Sequence, residues 1–117
     1  MEEVWVECRY YPNYSVSNLG NVRRNKDGKI MKQYQQKNGY VYVWLTRKDG
    51  TSAIPVHRLV CIAFHGDEGY ENGLFVDHIN TIRNDNRSEN LHWVSPKENS
   101  NNPITKENRK KKNKPIL

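Results

Sequence analysis

A chain of 117 residues with 35% hydrophobic side chains can build one modest core, and is too short for several independent domains. Nineteen Lys and Arg against thirteen Asp and Glu leave a formal net charge of +6, which points to an anionic partner. No apolar stretch approaches a membrane-spanning length and no signal sequence opens the chain, so nucleic acid ranks ahead of lipid, no membrane partner is expected, and the expected location is cytoplasmic.

From about Val4 to Val56 the pattern is that of an antiparallel β meander. Trp5 and Val6 start a short strand, Tyr14-Ser15-Val16-Ser17 leads into the turn Asn18-Leu19-Gly20, and Val22 opens the next strand, which delivers Arg23 and Arg24. Asp27-Gly28, Asn38-Gly39 and Lys48-Asp49-Gly50 are hairpin signals. The run Tyr40 to Leu45 alternates, placing Val41, Val43 and Leu45 on a core face and Tyr40, Tyr42 and Trp44 on the other. That aromatic face is expected to be a second packed layer or a rim against the following helix, with contact to a nucleic-acid backbone as the alternative. Arg23, Arg24, Lys26, Lys29, Lys32, Arg47 and Lys48 gather at strand ends and turns; singly they are solvated surface, and together they can contact phosphates without reading sequence.

At Pro55 the period changes. Leu59, Ile62 and Ala63 fall on one helical face, and Gly66 ends the predicted helix. His57, at its N-terminal end, is expected to be buried or hydrogen-bonded to backbone. Glu68 to Gly73 reads as a loop. Cys8 and Cys61 stand alone, so the default compartment is reducing.

The stretch from Val76 to Asn102 concentrates a carboxylate, two imidazoles and a run of side-chain amides. Leu74-Phe75-Val76 reads as a strand ending at Asp77-His78, Asn80 to Asn90 as a polar loop, and Leu91-His92-Trp93-Val94 as a second strand. His92 belongs to the sheet surface in this reading, and Trp93 to the core of so small a unit. Ser95-Pro96-Lys97-Glu98 carries an N-cap, a proline at the first helical position and a capping-box glutamate, which puts Asn99 at the end of the first helical turn. Asp77 and Asn99 are an oxygen-only pair of donors suited to a hard divalent cation that keeps several waters, Mg²⁺ rather than Zn²⁺. The imidazole of His78 suits a general base at neutral pH. Successive strand residues point to opposite faces, so Asp77 and His78 must sit where the strand ends or bulges.

These residues resemble the HNH endonucleases of the ββα-metal class. Asp77-His78 is similar to that family's metal-ligand and general-base pair, Asn90 to its middle Asn, and Asn99 to the second metal ligand on the helix. Asn90 follows His78 by twelve positions and Asn99 by twenty-one, a spacing that resembles the phage and intron-encoded branch, where Asn often takes the third position. The segment Tyr14 to Arg23, YSVSNLGNVR, is similar to the NUMOD4-like module found ahead of such units. The resemblance implies one-metal hydrolysis of a phosphodiester in double-stranded DNA: His78 takes a proton from water, and Mg²⁺ (with Mn²⁺ as a substitute) on Asp77 and Asn99 meets the scissile phosphate. It gives Asn90 the task of pinning the loop and orienting the imidazole. Relatives braced by paired Cys-x-x-Cys motifs hold a structural zinc; this chain departs from that pattern and none is expected.

The expected architecture is therefore α+β: an N-terminal antiparallel meander and a linking helix, followed by a C-terminal ββα-metal unit. Residues 1–56 form the β-rich DNA-contacting lobe in this reading, 57–102 the linking helix and nuclease unit, and 103–117 a basic tail. Seven cations, Lys97, Lys106, Arg109, Lys110, Lys111, Lys112 and Lys114, stand against Glu98 and Glu107 beyond Ser95, so most of the excess charge is there. With Arg23, Arg24, Arg47, Lys48, Arg83 and Arg87, the cations Lys97, Arg109, Lys110, Lys111 and Lys112 are the expected DNA contacts. No heptad pattern marks a dimer face, so a monomer is expected. Two alternatives stay open: a DNA-binding protein without catalysis, since Ile30 to Phe64 also describes a sheet-reading module, and a nuclease for RNA or damaged DNA using the same site.

Overall fold

The computed structural model describes residues 2–95. The expected capped helix with Lys97 and Asn99, and the tail with Arg109, Lys110, Lys111 and Lys112, lie outside the described residues.

The first sheet is β1 (Trp5–Cys8), β2 (Tyr11–Ser17) and β3 (Val22–Arg24), antiparallel and in chain order. Its second turn is closed by Ser17, fully buried, whose Oγ accepts from the backbone N–H of Leu19 at 3.2 Å and of Asn21 at 3.1 Å. Gly20 holds φ +88° there, a conformation that disfavours any side chain. A second antiparallel sheet follows, made of β4 (Gln33–Gln35), β5 (Val41–Arg47) and β6 (Gly50–Pro55). The expected single meander is thus two sheets, linked by one bridge between Arg23 and Ile30. The ladder from the first sheet ends there because β3 is three residues long, and the Met31 N–H, bonded back to Val22 O at 2.8 Å, closes the hairpin before the chain departs.

Alternation along β5 sets the core. Val43 and Leu45 are fully buried and join Val16 and Val22 of the first sheet and Val56, Leu59, Val60 and Cys61 of α1 (Val56–His65) in one cluster. The N–H of Thr46 donates to Tyr14 Oη at 3.2 Å, tying the sheets together. On the opposite face the outcome is divided: Tyr40 packs as a rim against the start of α1, its ring 5.2 Å from that of His57, whereas Trp44 is 52% exposed.

Gly66, at φ +84°, ends α1 where the sequence places the stop. A single helical turn, α2 (Glu68–Glu71), occupies the segment expected to be a loop. It is held from outside: Gly69 lies flat on the Trp93 indole, where a Cβ would overlap the ring, and Trp93 Nε1–H donates to Gly66 O at 2.9 Å. Strands β7 (Phe75–His78) and β8 (Leu91–Val94) form a two-stranded hairpin, joined by a polar loop that ends in a 3₁₀ turn, Ser88–Asn90. Such a hairpin is marginal alone; this one leans on α1, against which β8 packs, and buries Leu91 and Val94. Trp93 is partly buried and packs at the edge of the main core.

Candidate functional site

The site is built on the register of the β7–β8 hairpin. Asp77 pairs with His92 and His78 with Leu91, and no irregularity interrupts the ladder. Alternation therefore puts Asp77 and His92 together on the partly exposed side and His78 on the buried side. No bulge is needed to separate the roles: the strand ends at His78, and the Thr81 N–H returns to His78 O at 2.8 Å to start the loop. Thr81 takes φ +65°, an uncommon conformation for a β-branched residue.

His78 is 6% exposed, walled by the rings of His57 at 5.3 Å and Tyr40 at 6.0 Å. Its Nε2 lies 2.8 Å from Asn86 Oδ1. A carboxamide oxygen only accepts, so Nε2 carries the proton and Nδ1 keeps the lone pair. Burial pushes the imidazole pKa below its ordinary value, against the opposing pull of the Asn86 hydrogen bond and the charges of Asp77 and Asp85. A neutral ring with a free basic nitrogen is the form a general base requires at pH 7.

Asn90, also buried, spends its amide on the loop. Its Nδ2 donates to Asn80 Oδ1 and to Asp85 O, each at 2.9 Å, and its Oδ1 accepts from the Asn80 N–H at 3.0 Å. Asn90 holds the loop that follows His78, and the amide that touches the ring belongs to Asn86. The sequence offered little to single Asn86 out, because Asn80, Asn84, Asn86 and Asn90 share one short loop.

Asp77 pairs with His92 across the strands, Oδ2 to Nε2 at 2.8 Å, with about a fifth of the Asp77 side chain open to solvent. His92 is exposed on the sheet surface. Among the described residues no three His, Cys, Asp or Glu side chains converge to hold a metal. His57 is a neighbour the sequence did not connect with the site. Burial, followed by the nearby His78 and Arg58, pushes its pKa down to about 3, and its buried Nδ1 has no hydrogen-bond partner.

Several cations expected to meet DNA have structural partners. Arg87 clamps Asp85 and Glu89, each at 2.7 Å, and thereby braces the loop; Arg24 grips Asp27 at 2.6 Å within its turn. Both guanidinium groups are taken by carboxylates because each lies within three residues of an acid that turns back toward it. Arg83 donates to Asn38 O at 2.7 Å and lies over the Tyr40 ring, Arg23 covers Trp5, and Arg47 covers Tyr11. Lys48 is exposed at the tip of the β5–β6 hairpin.

Residues 3–46 match the NUMOD4 motif and residues 55–101 the HNH endonuclease family. A curated relative, DNA endonuclease I-HmuI of Bacillus phage SP01, is 40% identical over 103 residues, which make up 87% of this chain and 58% of the relative. The uncharacterized HNH endonuclease L247 of Acanthamoeba polyphaga mimivirus is 40% identical over 111 residues, 88% of this chain and 28% of that protein. A solved structure described as "DNA binding and cleavage by the HNH homing endonuclease I-HmuI" superposes with a TM-score of 0.74 at 38% identity, covering 97% of this chain and 68% of that one. The chain thus spans little more than half the length of the first of these curated relatives and less than a third of the second.

Proposed function

We propose, for a chain that belongs to the HNH endonuclease family, that it is a divalent-metal-dependent DNA endonuclease which hydrolyses a phosphodiester of double-stranded DNA at His78. The observation that carries this reading is the setting of that imidazole: buried, with Nε2 tied to Asn86 Oδ1, so that Nδ1 carries the lone pair, and with burial lowering its pKa. His78 Nδ1 takes the proton as water attacks phosphorus; the bond to the 3′ oxygen breaks and that oxygen takes a proton from solvent water, leaving 5′-phosphate and 3′-hydroxyl ends. Tyr40 and His57 limit water around the ring, and Asn90 keeps the loop closed.

Asp77 fits a hard cation, since its carboxylate is partly open on the hairpin face and faces an imidazole rather than an arginine or lysine. With the amide oxygen of Asn99 it would hold Mg²⁺, for which Mn²⁺ substitutes. When bound, the cation supplies charge neutralisation at the phosphate and the departing oxygen. In this reading residues 1–56 are the DNA-contacting lobe and 57–102 the nuclease unit; Lys48 and the ring-stacked Arg23 and Arg47 meet the phosphate backbone, and the cations Lys97, Arg109, Lys110, Lys111 and Lys112 add attraction.

The test is cleavage of supercoiled plasmid in Mg²⁺ or Mn²⁺, with and without chelator, by the wild type and His78→Ala. Loss of the base lowers the rate by roughly 10²–10⁴-fold with DNA affinity retained. Wild-type cleavage by His78→Ala, or cleavage indifferent to chelator, overturns the reading.

A further inference from the structure

We propose that Asn86 is the positioning residue for His78, and that the Asn18–Gly20 turn of the first sheet holds Asn86 in place, so that the N-terminal module is part of the device that aims the base. The inference rests on the reading of His78 as general base and names what orients it.

The contact between Asn86 Oδ1 and His78 Nε2, at 2.8 Å, joins two side chains that are 5% and 6% exposed. The ring's other close neighbours, Tyr40 and His57, face it with aromatic rings and leave its rotation about χ2 to be set by this bond. A ring held by Nε2 points Nδ1 in one direction; a ring without the bond turns, and the basic nitrogen leaves the line of attack.

Asn86 is in turn fixed from sixty-six residues away. Gly20 lies so close that a Cβ built on it would stand 3.0 Å from Asn86 O and 3.2 Å from Asn86 Cβ. Two residues on, the Ser88 N–H donates to Asn18 O at 2.8 Å, and Ser88 O lies 2.7 Å from His65 Nε2 at the end of α1. The turn itself is braced from two sides: Ser17 Oγ closes it from within, and Gln33 Nε2–H donates to Gly20 O at 2.8 Å from the second sheet. The loop after His78 therefore rests in a cradle formed by the Asn18–Gly20 turn and the end of α1.

The test uses the full chain with Asn86→Ala, Asn86→Asp, Gly20→Ala and Gly28→Ala, each checked for folding by circular dichroism. Gly28 also sits at positive φ, +71°, but has nothing within 4 Å of the position a Cβ would take, so it reports backbone strain without the contact. Nitrogen-resolved NMR of histidine side chains reads the proton on His78. The expected result is a slowly exchanging Nε2–H in the wild type and in Asn86→Asp, lost in Asn86→Ala, where turnover at saturating DNA falls by roughly 10–100-fold with affinity unchanged. Gly20→Ala behaves like Asn86→Ala in turnover, and Gly28→Ala like the wild type. A His78 proton on Nδ1 in the wild type, or wild-type turnover in Asn86→Ala, overturns the role of Asn86; equal turnover in Gly20→Ala and Gly28→Ala overturns the cradle. If the Nε2–H of His78 is present in the wild type and lost in Asn86→Ala while His78→Ala still cleaves like the wild type, the assignment of the base has failed and only the Asn86–His78 contact stands.

Discussion

His57 and His78 lie edge to face where α1 meets the hairpin, and burial acts on both in the same direction. For His57 the pKa falls from 6.5 to about 3, so between those values the unfolded chain binds a proton that the folded chain refuses. Stability from this group is complete above the unfolded pKa and is lost as the pH falls toward 3, by up to about 1.4 kcal/mol per pH unit. Urea midpoints taken from neutral to acid pH should fall less steeply for His57→Leu than for the wild type; parallel curves would show that His57 titrates normally. Asp77→Ala acts on another axis: because its contact is a surface imidazole, the fold should persist while the Mn²⁺ concentration needed for cleavage rises, and Asn99→Ala should do the same. A Mn²⁺ titration indistinguishable from wild type rules out the ligand assignment. Residue types made Asp77 and His78 stand out, and the family resemblance added Asn90. They did not reveal Asn86, because which amide of an Asn-rich loop meets the imidazole depends on where that loop docks, and the dock is Gly20.

Strand β5 was legible as an element because Val41, Val43 and Leu45 alternate along it with Tyr42 and Trp44. The consequence for stability is unequal. Leu45→Ala empties a fully buried site and should cost about 2–5 kcal/mol, whereas Trp44→Ala, on the solvent side, should stay within about 0.5 kcal/mol; chemical denaturation of the two variants checks the pair. The division of the meander into two sheets was not legible, since a Gly-bearing turn looks the same whether the ladder continues beyond it or not. Nor was α2, whose single turn has no periodicity of its own and depends on the indole of Trp93. The pairing of Arg24 with Asp27 and Arg87 with Asp85 shows the same limit for charge: a count of cations does not say which are already engaged.

At the scale of the molecule, the proposed site occurs once per chain, and one metal centre hydrolyses one strand per encounter. Plasmid should pass first to nicked circles, with linear DNA appearing late, and sedimentation should give a monomer; linear product from the earliest times together with a dimer would exclude a monomeric nickase. The two matched segments stop and start at residues 46 and 55, and the residues between them belong to the β5–β6 hairpin, whose strands pair from Tyr42↔Pro55 to Arg47↔Gly50. The seam in the sequence is thus a closed zipper in space. For the exchange of parts among relatives this reverses the usual picture of beads on a string: a crossover between the segments hands each offspring one half of a zipper cut for a different partner. The two segments should therefore be inherited as a linked pair, their strands changing in step, and the hairpin is where a chimeric nuclease must be matched before its active site matters.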